Sequence, residues 1–292
     1  MNELYPDVKH HSAHLNGIKQ HWVTAGDGPP VYLLHGFPEF WFGWRKQIPF
    51  LMKDYTVVAP DLRGYGSTDK PVTGYDKRTM ANDILALMDH LGHERVAMVG
   101  HDRGARVATR FAKDHRDRID RLAVIDNIPT RIVAQTFDAA KARAGYWYFP
   151  FLAVLDLPEA LITGREEVFL THFYRSWSYN PETLSPEEIA VYVRAYQQPG
   201  MLRGACADYR AAGDDVAQDL QDADELIDCP VLSMWGAEFE GVGKAYDVED
   251  IWRRMAKNLR AVPIPECGHL CQEERPDIVN EELAAFLIGW RG

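Results

Sequence analysis

The sequence predicts an α/β fold in which a doubly wound, mostly parallel sheet carries an inserted helical cap. Short apolar runs that end in Gly or Asp alternate with helix-like segments in both outer parts of the chain. The middle of the chain lacks such runs and is rich in aromatic residues with helical patterning. At 292 residues, the chain is long enough for one large core with an insertion.

Five apolar segments predict strands that are buried on both faces of the sheet. They lie at 31–36, 55–61, 95–102, 121–126 and 230–236. Near-continuous apolar runs of this kind are typical of parallel strands covered by helices on both faces. The intervening segment "KRTMANDILALMDHLG" repeats its apolar residues at three- and four-residue spacing, which predicts a connecting helix.

The alternation of strands and helices stops near residue 130 and resumes near residue 228. We therefore predict that residues 1–130 and 228–292 form the core and that residues 131–227 form the cap. Open parallel sheets bind ligands beyond the carboxyl ends of their strands. The functional site is expected at that edge.

Composition excludes several classes of partner. A formal net charge of −11 argues against nucleic acid or an anionic membrane. The N-terminal segment lacks the apolar stretch of a signal peptide, and no apolar run reaches membrane-spanning length. We expect a cytoplasmic protein with a small-molecule substrate, and we interpret the N-terminal histidines as part of a solvated segment. The cysteines form no zinc-binding pattern, so neither a metal nor another cofactor is predicted.

The segment "VAMVGHDRGARVATR" at 96–110 predicts a buried strand, a sharp turn and the start of a helix. Gly100 and Gly104 bracket the turn, and Asp102 stands at its tip. Turns of the form G-x-S-x-G raise a nucleophilic serine above the sheet. A carboxylate in this place suits displacement at a tetrahedral carbon, where it expels a halide or opens an epoxide and becomes an ester.

His269, in "AVPIPECGHL" after the last apolar run, is the predicted base that activates water to hydrolyse this ester. Such a histidine needs an acid that orients it and stabilises its charged form. Asp126, at the end of "RLAVID", is the predicted acid, and Glu238 and Glu240 after "VLSMWG" are the alternatives.

The hydrolysis step also requires an oxyanion hole. The motif "HGFP" at 35–38 follows the first predicted parallel strand. We expect the backbone N–H groups of Phe37 and Arg103 to donate to the oxyanion that develops on the ester.

The motifs "HGFPEFWFGW", "GHDRGARVATR", "LAVIDNIPT" and "CGH" together resemble the α/β-hydrolase superfamily, and specifically the haloacetate (fluoroacetate) dehalogenases. The resemblance extends over nearly the whole chain. It implies the α/β-hydrolase fold and a cofactor-free, homodimeric hydrolase that converts a haloacetate into glycolate and halide.

The same resemblance assigns further site residues. Arg103 and Arg106 match the pair that grips the substrate carboxylate, a role that suits the planar guanidinium group. Trp147 and Tyr209 match the family's halide ligands, and Tyr146 stands where the family has a histidine. Because a neutral phenol is a weaker donor than that histidine, we expect chloro- and bromoacetate to be better substrates than fluoroacetate.

Three other functions stay open. Epoxide hydrolases share the nucleophile, the base and the ester, and "HGFPEFWFGWR" resembles their motif as well. They use two cap tyrosines, of which Tyr209 could be one. The other would have to be Tyr146 or Tyr148, because aligning "YF" places Gly145 at the usual site. These enzymes also usually have Trp where Arg103 stands. Haloalkane dehalogenases fit less well for the same reason. A non-catalytic scaffold that binds a small ligand is the third possibility.

Overall fold

The computed structural model describes residues 5–292, and their core is an eight-stranded sheet. The strands are β1 (Lys9–Leu15), β2 (Ile18–Ala25), β3 (Pro30–Leu34), β4 (Thr56–Pro60), β5 (Val96–His101), β6 (Ile119–Ile125), β7 (Val231–Gly236) and β8 (Leu259–Ile264). Their order in the sheet is β1-β2-β4-β3-β5-β6-β7-β8. The first two strands are antiparallel, and the other six run parallel to one another. The predicted mostly parallel α/β fold is confirmed.

The five predicted strands correspond to β3–β7, and the apolar run before His269 forms β8. The N-terminal histidines lie in the edge strand β1, whose residues are exposed or partly exposed, in agreement with the expected solvated segment. His10 Nδ1 lies 3.0 Å from His21 Nε2 on the neighbouring strand. An edge strand with one exposed face carries alternating polar residues, which hides its strand character in the sequence.

The helices are α1 (Ile48–Leu51), α2 (Lys77–Leu91), α3 (Asp102–Asp114), α4 (Thr130–Thr136), α5 (Ala139–Lys141), α6 (Tyr148–Ala153), α7 (Leu157–Ile162), α8 (Glu166–Ser176), α9 (Pro186–Tyr196), α10 (Met201–Arg210), α11 (Ala212–Gln221), α12 (Val248–Arg253), α13 (Cys271–Glu274) and α14 (Pro276–Leu287). A 3-10 turn spans Trp41–Trp44, and a π-helical turn spans Ala142–Tyr146. The predicted helix is α2, which begins where Asp76 accepts from the Thr79 amide and ends at Gly92 with φ 73°.

Helices α4–α11, here called the cap, lie in the chain between β6 and β7. They pack against residues that follow the carboxyl ends of the strands. The Tyr148 ring stacks on Phe37 with centroids 6.2 Å apart, and the Tyr174 hydroxyl donates to the Pro38 carbonyl at 2.8 Å. The cap therefore covers the edge at which an open parallel sheet binds ligands. Within residues 5–292, no helix is long and apolar enough to cross a membrane.

Candidate active site

Asp102 stands at a strained turn between β5 and α3. Its φ of 44° lies in the left-handed region that residues other than Gly rarely adopt. The surrounding glycines allow the close approach: a Cβ on Gly104 would lie 2.2 Å from the Leu34 carbonyl oxygen, and one on Gly36 would lie 2.7 Å from the Asp102 Cβ. Such strain persists where the surrounding structure enforces it, and it is typical of a nucleophile raised above the sheet.

Backbone and side-chain donors surround Asp102. The Phe37 amide donates to Asp102 Oδ2 at 3.1 Å, and the Asn127 side chain donates to the Asp102 carbonyl at 2.9 Å. Arg103 is the second residue of α3, where amide N–H groups have no acceptor within the helix. The Phe37 amide predicted for the oxyanion hole therefore contacts Asp102, and the Arg103 amide has no acceptor within its helix.

His269 pairs with Asp126 through a hydrogen bond of 2.5 Å between His269 Nδ1 and Asp126 Oδ2. The other carboxylate oxygen of Asp126 accepts from the Gly236 amide at 3.0 Å. His269 Nε2 is buried and has no hydrogen-bond partner among residues 5–292. This nitrogen is therefore free to receive a proton from a water molecule. Glu238 and Glu240, the alternative acids, are exposed and pair with Lys244 instead.

Sequence reasoning missed a buried polar network beneath the nucleophile. His101 Nδ1 lies 2.8 Å from Glu39 Oε2, and His101 Nε2 lies 2.9 Å from the His269 carbonyl oxygen. Gln272 donates to the second Glu39 oxygen at 2.8 Å. Burial alone lowers the pKa of His101, but the Glu39 carboxylate outweighs burial and raises it to about 9. The sequence shows Glu39 in "HGFPE" and His101 in "GHD", but no local pattern links the two residues.

Two cap residues near Asp102, Tyr148 and Tyr209, carry buried phenols, and Tyr148 also lines the cleft beside Asp102. Their ring centroids are 5.6 Å apart, and both rings pack on Phe37. Burial and the charge of Asp102 raise the pKa of Tyr148 well above its usual value. Burial, the neighbouring Tyr148 and Asp102 do the same for Tyr209. Both groups therefore stay protonated and can donate hydrogen bonds.

Arg103 pairs with the cap along one edge of its guanidinium. Its side chain is fully buried, with Nε 2.9 Å from Asp208 Oδ2 and Nη2 2.6 Å from Asp208 Oδ1. Its Nη1 is buried without a hydrogen-bond partner among residues 5–292, so the role of Arg103 as a ligand of a substrate carboxylate stays a prediction. The aspartate lies 105 residues further along the chain, so no local pattern reveals the pairing.

Arg106 differs from Arg103, since it lines the cleft above Asp102. Its Nη1 donates to the Thr130 hydroxyl at 2.8 Å, and its Nε is buried without a partner in the described part of the chain. No ion pair involves Arg106 within residues 5–292. A buried cation without a carboxylate partner is available to an anionic ligand.

The structure does not bring Trp147 to the cleft. Its side chain is 39% exposed, and its ring stacks on Phe173 with centroids 5.8 Å apart. Consecutive residues of a helix point in directions about 100° apart. Trp147 accordingly points away from the cleft that its neighbour Tyr148 lines, and Tyr146, the last residue of the π-helical turn, lines the cleft as well.

The cleft itself is narrow, and only about 10 Å³ of it is open to the centre of a water-sized molecule. Its lining joins the catalytic candidates to the cap aromatics and consists of Asp102, Arg106, Asp126, Asn127, Ile128, Gly145, Tyr146, Tyr148, Phe149, Phe239, Gly241, Val242 and His269. Phe239 and Trp177 also pack on the His269 ring, each with centroids 4.8 Å from it. The arrangement suits a small substrate held between a carboxylate below and phenols above.

The known proteins that are similar to this chain have two different activities. Residues 29–276 match the family described as alpha/beta hydrolase fold. The chain is 38% identical over 288 residues to a soluble epoxide hydrolase from Corynebacterium sp. (strain C12), covering 98% of this chain and 99% of that protein. It is 36% identical over 273 residues to a fluoroacetate dehalogenase from Burkholderia sp., covering 91% and 89%.

A solved structure of a ligand-free epoxide hydrolase is also similar, with a TM-score of 0.91, 37% identity, and coverage of 98% of this chain and 100% of that one. Since the identities to the two kinds of enzyme differ little, they do not decide which bond is cleaved. That question depends on the groups in the cleft.

Proposed function

The chain belongs to the α/β-hydrolase family, and on this basis we propose that it hydrolyses small epoxides through an ester on Asp102. The observation that carries the proposal is the pair of buried phenols, Tyr148 and Tyr209, beside the nucleophile. An epoxide oxygen that becomes an alkoxide needs donors of this kind. The outward position of Trp147 favours this reaction over the dehalogenation first expected.

In the first step, Asp102 attacks an epoxide carbon. The Phe37 amide binds Oδ2, which leaves Oδ1 free to form the new carbon–oxygen bond. As the carbon–oxygen bond of the ring breaks, a phenol of Tyr148 or Tyr209 gives its proton to the departing oxygen. The product is a hydroxyalkyl ester of Asp102, with Oδ2 as the carbonyl oxygen and one phenol as phenolate.

In the second step, water hydrolyses the ester. His269 Nε2 takes a proton from water, and the oxygen attacks the Asp102 carbonyl carbon. The negative charge then moves to Oδ2, where the Phe37 and Arg103 amides stabilise it. As the tetrahedral intermediate collapses, the remaining proton of the attacking water passes to the departing oxygen. This releases the diol and restores the carboxylate, which now holds one oxygen from water. Asp126 stabilises the imidazolium until its proton passes back to the phenolate through solvent.

Arg106 favours hydrolytic dehalogenation of short 2-haloacids as a second candidate function. A buried guanidinium in the cleft, without an ion-pair partner among the described residues, suits a substrate carboxylate. Asp102 would then displace halide from the neighbouring carbon, with Tyr148, Tyr209 and Tyr146 as halide donors. Trp147 would need to turn inward to take part.

A substrate panel tests the proposal. Styrene oxide is compared with fluoro-, chloro- and bromoacetate, and both diol formation and halide release are measured. We expect diol from the epoxide. Halide release without diol would replace the proposal by the second candidate, and turnover of neither would favour a non-catalytic ligand-binding scaffold.

Single turnover with enzyme in excess in ¹⁸O-water tests the ester itself. The label should enter the peptide that contains Asp102, because one carboxylate oxygen is renewed from water. Asp102→Asn should form no product. Product formation without label in that peptide would contradict an ester on Asp102.

A further inference from the structure

A buried ion cluster joins the residue after the nucleophile to the residue before the cap phenol. Arg103 follows Asp102 in the chain, Asp208 precedes Tyr209, and Arg103 and Asp208 form an ion pair. We propose that Arg103 and Asp208 are positioning residues whose ion pair holds the Tyr209 phenol in place over Asp102. The inference rests on the proposed function for the role of Tyr209 as a proton donor.

The ion pair is rigid and fully desolvated. Asp208 receives Arg103 Nε at 2.9 Å and Nη2 at 2.6 Å on its two oxygens, and Nη2 also donates to the Asp208 carbonyl at 2.7 Å. Arg103 and Asp208 are both fully buried. A planar fork bound to both the side chain and the backbone of one residue fixes distance and orientation together.

Further core groups anchor the same carboxylate. Tyr65 donates to Asp208 Oδ2 at 2.8 Å, and the Lys77 ammonium binds Asp208 Oδ1. Asp215 supplies the second negative charge, 3.5 Å from Lys77 Nζ and 3.9 Å from Arg103 Nη2. Two cations and two carboxylates balance, so the cluster can stay buried without a net charge. Its cations belong to the core helices α2 and α3, and its carboxylates belong to the cap helices α10 and α11.

The cluster also contacts the Tyr209 ring directly. The Arg103 guanidinium lies over the ring face, 4.5 Å from the centroid. Phe37 meets the ring at an interplanar angle of 87° with centroids 5.2 Å apart. The Tyr209 hydroxyl is buried without a hydrogen-bond partner in the described part of the chain. The contacts of the ring, rather than of the hydroxyl, therefore set the position of the phenol.

The test compares Arg103→Lys and Asp208→Asn with a matched control. Arg103→Lys keeps the positive charge but loses the bidentate contacts of the guanidinium. It keeps the test informative even if the Asp208→Asn protein does not fold. The control is Asp83→Asn, which breaks a similar buried pair with Arg63 Nε at 2.8 Å and Nη2 at 2.6 Å from Asp83. Each change is made alone and with Tyr209→Phe, and the rate of ester formation is measured by acid quench and intact mass.

We expect Arg103→Lys and Asp208→Asn to slow ester formation by about tenfold to a hundredfold, as small misplacements of reacting groups do. In the Tyr209→Phe background, each substitution should slow ester formation by less than about a further twofold, because both act through the hydroxyl that Tyr209→Phe removes. Asp83→Asn should change the rate by less than about twofold in either background. An undiminished effect of Arg103→Lys in the Tyr209→Phe background would overturn the inference.

A spectroscopic measurement does not depend on turnover. 3-Fluorotyrosine incorporated at position 209 should give one sharp ¹⁹F resonance, which Arg103→Lys and Asp208→Asn shift or broaden and Asp83→Asn leaves unchanged. An unchanged resonance in the two cluster variants would refute the positioning role. If the unaltered protein opens no epoxide, the proposed function fails while this measurement still decides the inference.

Discussion

Glu39→Gln should remove a pH-dependent contribution to stability that originates in the network beneath the nucleophile. The Glu39 carboxylate raises the pKa of buried His101 to about 9 from an ordinary value of 6.5. Only the protonated ring can donate to Glu39 and to the His269 carbonyl at once, since neutral imidazole has a single N–H. Glutamine retains an acceptor for the Gly36 amide, which Glu39 binds at 3.1 Å, but it carries no charge.

The magnitude follows from the two pKa values. The difference between 9 and 6.5, at about 1.4 kcal/mol for each pH unit, corresponds to about 3 kcal/mol. Because the pKa of His101 is higher in the folded state than in the unfolded state, this stabilisation is fully present below pH 6.5. It is lost as the pH rises through about 9.

The assay is urea denaturation of the unaltered protein, Glu39→Gln and His101→Gln at several pH values between about 6 and about 10. The difference in unfolding free energy between the unaltered protein and Glu39→Gln should shrink by about 3 kcal/mol across that range. His101→Gln should give the same trend, because it removes the same titration. A difference that stays constant with pH would refute the idea that Glu39 keeps His101 protonated.

Three further changes give separate expectations. His269→Gln should leave the first step intact and block the second, so that intact-mass analysis detects protein carrying one substrate mass on Asp102; an unmodified mass during substrate consumption would contradict this order of steps. Arg106→Met should slow any haloacetate reaction by about a hundredfold or more while changing styrene oxide turnover little, since only the acid needs a cationic partner; equal losses on both substrates would argue against a carboxylate site. Gly104→Ala should destabilise the protein by about 3 kcal/mol in urea denaturation, because its Cβ would lie 2.2 Å from a backbone oxygen of β3. The control Gly213→Ala has free space around its Cβ and should be neutral or stabilising, and equal effects of the two substitutions would refute the steric argument.

The local sequence determined the fold and the position of Asp102, the proposed nucleophile. Buried parallel strands are nearly continuous apolar runs, and the turn that raises Asp102 requires glycines at fixed spacing. His269 and Asp126 could be assigned to one edge of the sheet because both follow parallel strands, and the carboxyl ends of such strands lie together. These inferences depend on short-range patterns and on the general geometry of the fold.

Only the tertiary structure decided which cap side chains enter the cleft and which cations stay free. Tyr148 enters and Trp147 does not, because adjacent residues of a helix point about 100° apart and the register after the π-helical turn sets which of them faces the cleft. Arg103 and Arg106 look equivalent in the sequence, yet a distant carboxylate, Asp208, pairs with Arg103, whereas Arg106 lines the cleft. Ion pairs between distant segments leave no local pattern, since their partners meet only when the cap packs on the core.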